Sequence, residues 1–129
     1  MFDEIIKKYS TFPDALITQL HMSIGKEQKI RIQVRIHCYN LLYENKLEYI
    51  TLLFDEVLSF NLFNEGHTNI TFINAALLKK ENNDIICDFF PIFMSNDLLI
   101  EDKDSPFRIR CTKISCELLP EELFEQDYI

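Results

Sequence analysis

Histidine and aspartate side chains in the first third of the chain have the types needed for acid and base catalysis. His21 and His37 lie in two runs that read as successive strands, and Asp14 comes shortly before the first of them. If these strands pair as a hairpin, the two imidazoles could face each other and act together in RNA cleavage. Such a mechanism needs a third convergent group, which the sequence does not identify. The alternative is that they are polar residues on a solvated strand face, and His67 beside Gly66 is expected in a loop.

Four cysteines offer either disulfide or metal chemistry. They are Cys38, Cys87, Cys111 and Cys116. No C-x-x-C pair occurs, and each cysteine falls at the apolar phase of its local alternation, where a reduced thiol behaves as a small hydrophobic side chain. We therefore expect buried free thiols and no metal site. A disulfide from Cys38, or a cluster that recruits His37, stays open as the alternative.

The glycine content excludes most phosphate-binding loops. The chain has only Gly25 and Gly66, whereas the loops that cradle nucleotide phosphates use several glycines to bring backbone N–H groups close to the anion. The G-x-S-x-G and H-E-x-x-H motifs are also missing. We expect no nucleotide-dependent catalysis and no cofactor.

The segment KIRIQVRIHC, residues 29 to 38, alternates basic or polar side chains with apolar ones. A period of two indicates a half-buried strand whose even-numbered residues face a core. The four arginines of the chain, Arg31, Arg35, Arg108 and Arg110, all lie on the polar phase of two strands. A basic sheet face is typical of RNA-binding modules, which leaves an RNA-binding or ribonuclease function as one hypothesis. The formal net charge of −8 opposes phosphate binding. We therefore expect these basic side chains to pair with internal carboxylates such as Glu48, Asp88 and Glu117.

Acidic residues are concentrated in the last third of the chain, where residues 97 to 129 hold nine acidic and four basic residues. One interpretation is a solvated surface that keeps the protein in solution. The other is a docking surface for a basic protein, because complementary charge raises the association rate and fixes orientation. The candidate contact residues are Asp97, Glu101, Asp102, Asp104, Glu117, Glu121, Glu122 and Glu125, with Phe93, Phe124 and Tyr128 as candidate aromatic anchors. The D-x-D-x-D-G spacing of a calcium loop is missing, so we expect no metal here.

Asp88 interrupts the apolar run IICDFFPIFM. A buried carboxylate requires a partner, and we expect an ion pair with an arginine of a neighbouring strand, or a place at the sheet rim, in preference to a catalytic role. Pro91 in the same run cannot donate a ladder hydrogen bond, which predicts an edge strand or a bulge.

The remaining periodicities predict one helix followed by strands. FDEIIKKY has apolar residues at helical spacing and indicates a short N-terminal helix. A hairpin is predicted from the strand ALITQLHM, a turn at GKEQ and the alternating strand of residues 29 to 38. Further strands are expected in LEYITLLF with its continuation DEVLSFNLF, in TNITFINAALL, in IICDFFPIFM and in FRIRCTKISCELL, with turns at NEGH and KENND.

The last strand changes its apolar phase near Thr112 and Lys113, which predicts a β-bulge there. Pro120 suits the first position of a terminal helical turn at PEELFEQ. Strands that follow strands without long helices favour antiparallel hairpins. We predict a mainly β (α+β) fold, a single domain over residues 1–129, built as an antiparallel curved sheet or two-layer sandwich of about seven or eight strands.

Two segments carry a resemblance to a known class of proteins. FPDALITQLHMSIGKEQKIRIQV is similar to the F-[HP]-D-A opening, strand, turn and strictly alternating second strand of small acidic bacterial immunity proteins, and FRIRCTKISCEL resembles their final strand. These proteins belong to polymorphic or contact-dependent growth inhibition toxin systems. The resemblance implies a cytoplasmic, non-enzymatic protein that binds a cognate toxin domain, often a basic nuclease, and occludes its active site.

A type III secretion chaperone is the second candidate of a similar size and charge. Such chaperones generally close with an amphipathic helix, whereas only nine residues follow Pro120. Dominant strand content would favour the immunity-type domain, and substantial helix would favour the chaperone. The N-terminus has no apolar run typical of a secretory signal, so we expect a cytoplasmic protein.

Overall fold

The computed structural model describes residues 1–62 and 71–120. The turn expected at NEGH and the terminal turn expected at PEELFEQ lie outside the described residues, apart from Pro120. No helix in the described part of the chain is long and apolar enough to cross a membrane.

The fold is mainly β, as predicted, with one short helix at the N-terminus. The elements are α1 (Phe2–Tyr9), β1 (Ala15–Ile24), a 3-10 turn (Lys26–Gln28), β2 (Ile30–Asn40), β3 (Lys46–Asn61), β4 (Thr71–Ile73), β5 (Leu77–Glu81), β6 (Asp84–Asp88), β7 (Ile92–Phe93), β8 (Leu99–Ile100) and β9 (Arg108–Leu118). Within the described residues, seven strands form one antiparallel sheet in the order β4-β1-β2-β3-β9-β6-β5, and β7 pairs with β8 in a second, small sheet.

The large sheet must curl, because its two edge strands are joined by only three residues. β4 and β5 lie at opposite edges, yet β4 ends at Ile73 and β5 begins at Leu77. Four Cα–Cα steps span at most about 14 Å, whereas six strand spacings in a flat sheet would separate the edges by about 29 Å. The sheet therefore wraps around the core and brings its edges together.

Helix α1 forms as predicted and packs on the sheet near the turn between β2 and β3. Ile5 and Tyr9 are buried, and acidic residues in the first turn and lysines in the last complement the helix dipole. The backbone N–H of Leu41 donates to the carbonyl of Lys8 at 2.7 Å, and the Tyr9 hydroxyl donates to Glu48 at 2.8 Å. These two bonds fix the C-terminal end of the helix on the sheet.

Large aromatic side chains fill the inside of the curl. Phe12, Phe54, Phe89 and Phe107 are all at most 1% exposed. Phe89 contacts both Phe107 and Phe54, with ring centroids 4.2 and 6.4 Å apart. The even-numbered residues of β2 from Ile32 to Cys38 face this core, as the alternation predicted.

The predicted change of phase in the last strand is present, but the bulge lies on its neighbour. Cys111 and Ile114 are both buried. Around them the register with β3 does not shift, since Asp55 stays opposite Lys113 and Val57 opposite Cys111. The one-residue register shift occurs on β3, between Val57 and Ser59.

Two predicted strands are each divided in the structure. TNITFINAALL contributes β4 and the first residues of β5, because residues 74–76 leave the sheet: the Asn74 carbonyl accepts from the N–H of Asp14, and the N–H of Ala76 donates to Thr11. IICDFFPIFM ends its first strand at Asp88, and β6 lies between β5 and β9. The edge position or bulge predicted for Pro91 is therefore wrong, since the strand stops before the proline is reached.

Candidate partner-binding surface

The small sheet forms a hairpin whose apolar side chains face solvent. Every residue from 92 to 98 is exposed, and because successive strand residues point to opposite faces, both faces of the hairpin meet solvent. The exposed large side chains are Ile92, Phe93, Met94, Leu98 and Ile100, each 41% to 57% accessible. Contiguous exposed apolar side chains of this kind mark interaction sites. We call residues 92–100 the apolar hairpin.

Backbone hydrogen bonds close the turn of the apolar hairpin. Ile92 lies opposite Ile100 in the register. The N–H of Met94 donates to the Leu98 carbonyl at 2.9 Å, and the N–H of Asp97 donates to the Met94 carbonyl at 3.0 Å. Asp97 has a φ of 64°, a left-handed conformation that Asp tolerates better than most residues. Asp97 therefore lies at the tip of the apolar hairpin, where it is exposed.

Asp88 anchors the base of the apolar hairpin to the core. It is fully buried, and its carboxylate accepts hydrogen bonds from the backbone N–H groups of Phe90 at 3.0 Å and Asp102 at 2.7 Å. One carboxylate therefore ties together the chain entering and the chain leaving the hairpin. The expected structural role of Asp88 is found, but the expected arginine partner is wrong, because two backbone donors satisfy the charge instead.

The predicted acidic docking residues divide into exposed and internally paired groups. Asp97, Asp104 and Glu117 are exposed. Asp102 shapes the loop, since its side chain accepts from the N–H of Asp104 at 2.9 Å. The Glu101 side chain is only 8% exposed and pairs with Arg108 at 2.7 Å and Lys79 at 3.2 Å. Glu101 is therefore unavailable to a partner unless these pairs break.

The pKa of Glu101 agrees with that role. Burial raises the pKa, but hydrogen bonds from Arg108 and Lys79 outweigh burial and bring it below its ordinary value.

Of the three candidate aromatic anchors, Phe93 lies in the apolar hairpin. The remaining candidates, Glu121, Glu122, Glu125, Phe124 and Tyr128, lie outside the described residues.

Arg31, Arg108 and Arg110 are each paired with a carboxylate within the fold, although with other carboxylates than those expected. Arg31 makes two hydrogen bonds to Asp55, at 2.6 and 3.1 Å, and Arg110 donates to Asp84 at 2.9 Å. The pairs of arginines also occupy different stretches of the sheet. Arg108 and Arg110 lie opposite residues 59–61 of β3, beyond the residues that pair with β2. The partners named from the sequence differ: Glu48 bonds Tyr9 and Asn40, Asp88 caps backbone, and Glu117 acts on Arg31 only through longer-range attraction.

Glu56 organises a charged cleft that was not predicted from the sequence. The cleft has a volume of about 540 Å³ and is lined in part by Lys29, Arg31, Asp55, Glu56 and Lys113. Glu56 accepts from Lys29 at 2.8 Å and from Thr112 at 2.6 Å. These bonds lower the pKa of Glu56 to about 2. The sequence feature that could have predicted this cleft is the pair Asp55 and Glu56, which interrupts a run of apolar residues in β3, the strand that pairs with β2.

The two histidines proposed for catalysis do not face each other. In the β1 and β2 register His21 lies opposite Gln33, whereas His37 lies opposite Leu16. The His37 ring packs edge-on against Tyr49, with centroids 6.3 Å apart. The acid and base pair considered from the sequence is therefore not assembled.

The cysteines are free thiols, as predicted. Cys38, Cys87 and Cys111 are buried and Cys116 is half-buried. Burial raises the pKa of every one, to about 12 for Cys111 and about 11 for Cys116. The reactive and metal-binding form is the thiolate, so these side chains are poor nucleophiles at neutral pH. No cluster of three metal-ligating side chains occurs within residues 1–62 and 71–120.

Four of the exposed apolar residues were not singled out from the sequence, namely Ile92, Met94, Leu98 and Ile100. The signal was the polar segment Ser95 to Asp97 between two short apolar runs, which is the pattern of a hairpin turn.

Comparisons with known proteins found no match: no family model, no curated protein and no solved structure matches the chain.

Proposed function

We propose that this protein is an immunity protein, which binds a cognate bacterial toxin domain in the cytoplasm and neutralises it by covering its active site. The observation that carries the proposal is the apolar hairpin, exposed on both faces and fixed at its base by Asp88. Interfaces derive most of their affinity from a few buried aromatic and aliphatic anchors. Phe93 and Leu98 supply side chains of this kind on a preorganised turn.

Charge supports a basic partner such as a nuclease domain. The chain carries a net charge of −8, and Asp97 and Asp104 remain exposed in and after the apolar hairpin. A nuclease that attracts phosphate presents a positive surface, which an acidic protein meets with a fast, steered association. Substitution of these two aspartates by asparagine should slow association and reduce its salt dependence.

The two competing functions have less support. The strand-dominated fold counts against a secretion chaperone that closes with an amphipathic helix. RNA binding would require Arg31, Arg108 and Arg110 to break their ion pairs, each of which joins the arginine to a carboxylate oxygen within 3 Å.

The proposal predicts that a neighbouring gene encodes a toxin domain, and co-expression of that domain with this protein tests it. Cells should survive when the wild-type chain is present, and Phe93→Ser with Leu98→Ser should weaken binding by about 30-fold or more, which corresponds to the ~2 kcal/mol of an interface hot spot. Ile24→Ser is a matched control, since Ile24 is 69% exposed but lies at the end of β1. Equal protection by the hairpin variant and the control would overturn the proposed surface.

A further inference from the structure

The apolar hairpin carries large side chains on both of its faces. Ile92 lies opposite Ile100 in the register, and Phe93 lies opposite Leu99. Opposite residues of an antiparallel pair share a face, and successive residues alternate between faces. Ile92 and Ile100 therefore point to one side of the ribbon, where they are 46% and 41% exposed, and Phe93 points to the other side, where it is 54% exposed. Solvent reaches apolar side chains on both sides.

This two-sided exposure determines the shape of the surface that the hairpin fits. A flat partner surface covers one face of a ribbon and leaves the apolar side chains of the other face in water. Burial of apolar area is the main favourable term in most protein association, so a partner that covers both faces gains more from the same hairpin. A cleft has two walls and covers both faces. It suits the apolar hairpin better than a flat surface does.

The dimensions of the hairpin set the dimensions of that cleft. Ile92 and Ile100 are each four residues from Asn96 in the turn, and four residues of antiparallel strand span about 14 Å when fully extended. Sheets that pack face to face lie about 10 Å apart, so walls that contact both faces have their backbones about 20 Å apart. Enzyme substrates bind in concave clefts, and the hairpin has a shape that can fill one.

The base of the apolar hairpin is fixed before any partner binds. Asp88 accepts the backbone N–H groups of Phe90 and Asp102 on the two sides of the hairpin. Glu101, directly after β8, pairs with Arg108 at 2.7 Å. An element that is already held in its bound conformation loses little conformational entropy on association. The hairpin can therefore enter a cleft as a rigid wedge.

The charge at the tip of the hairpin indicates a basic cleft floor. Residues 90–102 contain three acidic residues and no lysine or arginine. Of the three, Glu101 is paired with Arg108 and Asp102 bonds within its own loop, whereas Asp97 is exposed at the turn. A carboxylate that enters a cleft loses water and requires a basic partner there. A second copy of the chain, with the same aspartate and a net charge of −8, is a poor source of one.

We propose that the apolar hairpin enters the substrate cleft of the toxin domain as a wedge, with a cleft wall on each apolar face and Asp97 on a basic side chain at the floor. In a nuclease that basic side chain binds the substrate phosphate, so the carboxylate of Asp97 takes the place of a phosphate group. This inference rests on the proposed function and adds to it the shape and charge of the surface that is covered.

Variants that change one face at a time test the wedge. The probe is the purified toxin domain from the neighbouring gene, and calorimetric titration of the full chain measures the dissociation constant. Ile92→Ser with Ile100→Ser changes one face and Phe93→Ser changes the other, and each should weaken binding at least tenfold. Ile24→Ser should bind as wild type does. Weakening by the variants of only one face would overturn the wedge and leave the proposed function intact, whereas no complex with the wild-type chain would overturn both.

A charge variant tests the placement of the tip. Asp97→Asn removes the charge, and asparagine tolerates the left-handed conformation found at this position, where φ is 64°. It should weaken binding at least tenfold through faster dissociation, whereas Asp104→Asn, with the same change in net charge, should alter only the association rate. A nuclease-resistant phosphorothioate oligonucleotide should compete with the wild-type chain for the toxin domain.

Three results would contradict the placement of Asp97 in a phosphate site or the choice of partner. Equal effects of the two aspartate variants would show that Asp97 acts only through long-range attraction. Simultaneous binding of the oligonucleotide and the wild-type chain would show that the tip lies outside the phosphate site. Self-association of the free chain that Phe93→Ser abolishes, measured by analytical ultracentrifugation, would assign the hairpin to a second copy of the chain.

Discussion

Replacing Asp88 by asparagine should destabilise the protein and loosen the base of the apolar hairpin. Asp88 is fully buried and accepts backbone N–H groups from Phe90 and Asp102, 14 residues apart in sequence. Asparagine offers one oxygen acceptor, so its amide nitrogen must meet the second donor. A hydrogen bond to a charged group contributes about 1.5–3 kcal/mol, and relief of the buried charge offsets part of its loss.

We therefore expect Asp88→Asn to lower the free energy of unfolding by about 1–3 kcal/mol, a large part of the roughly 5–15 kcal/mol typical of a domain. Urea unfolding followed by circular dichroism measures this change, since the chain has no tryptophan. Asp104→Asn is the matched control, because Asp104 is exposed in the same loop, and should stay within about 0.5 kcal/mol.

Hydrogen exchange identifies where the loss occurs. The backbone amides of Phe90 and Asp102 should exchange faster in Asp88→Asn than in wild type. Asp88→Asn should also weaken partner binding, though less than Phe93→Ser with Leu98→Ser does. Wild-type stability together with wild-type exchange at both amides would refute the role assigned to Asp88.

Three further predictions follow from the charged and thiol groups. Because the pKa of Glu56 in the folded protein is lowered to about 2 from 4.5, its contribution to stability is present above pH 4.5 and is lost as the pH falls toward 2. Glu56→Gln should therefore flatten the curve of unfolding free energy against pH over this range. An unchanged curve would contradict the bonds assigned to Glu56 in the cleft. Glu101→Gln should cost about 1–3 kcal/mol in urea unfolding, because it weakens the bonds to Arg108 and Lys79, whereas Glu117→Gln should cost little. With a thiol-reactive disulfide reagent at pH 7, Cys116 should react first and Cys87 only as fast as the protein opens; rapid labelling of Cys87 would contradict its burial.

Local periodicity was sufficient to predict most of the secondary structure. The apolar spacing of FDEIIKKY gives α1, and the strict alternation from Lys29 to Cys38 gives β2 with its core-facing residues. These patterns are determined by which side chains face the core, so they are visible within a short window.

Contacts between distant residues determined the features that were missed. The division of TNITFINAALL depends on hydrogen bonds from residues 11–14 to residues 74–76, which no local pattern records. The ion-pair partners depend in the same way on strand order: Asp55 reaches Arg31 only because β3 pairs with β2. Glu101 was placed on the docking surface because a sequence shows its charge but not the Arg108 and Lys79 that neutralise it.

Amide hydrogen exchange of the protein with and without its cognate toxin domain tests most directly whether it acts by covering that partner with the apolar hairpin. We predict that amides between Ile92 and Ile100 exchange quickly in the free protein and become strongly protected in the complex, while the toxin loses activity at equal molar ratio. Protection confined to other parts of the chain, with residues 92–100 exchanging as before, would contradict the account.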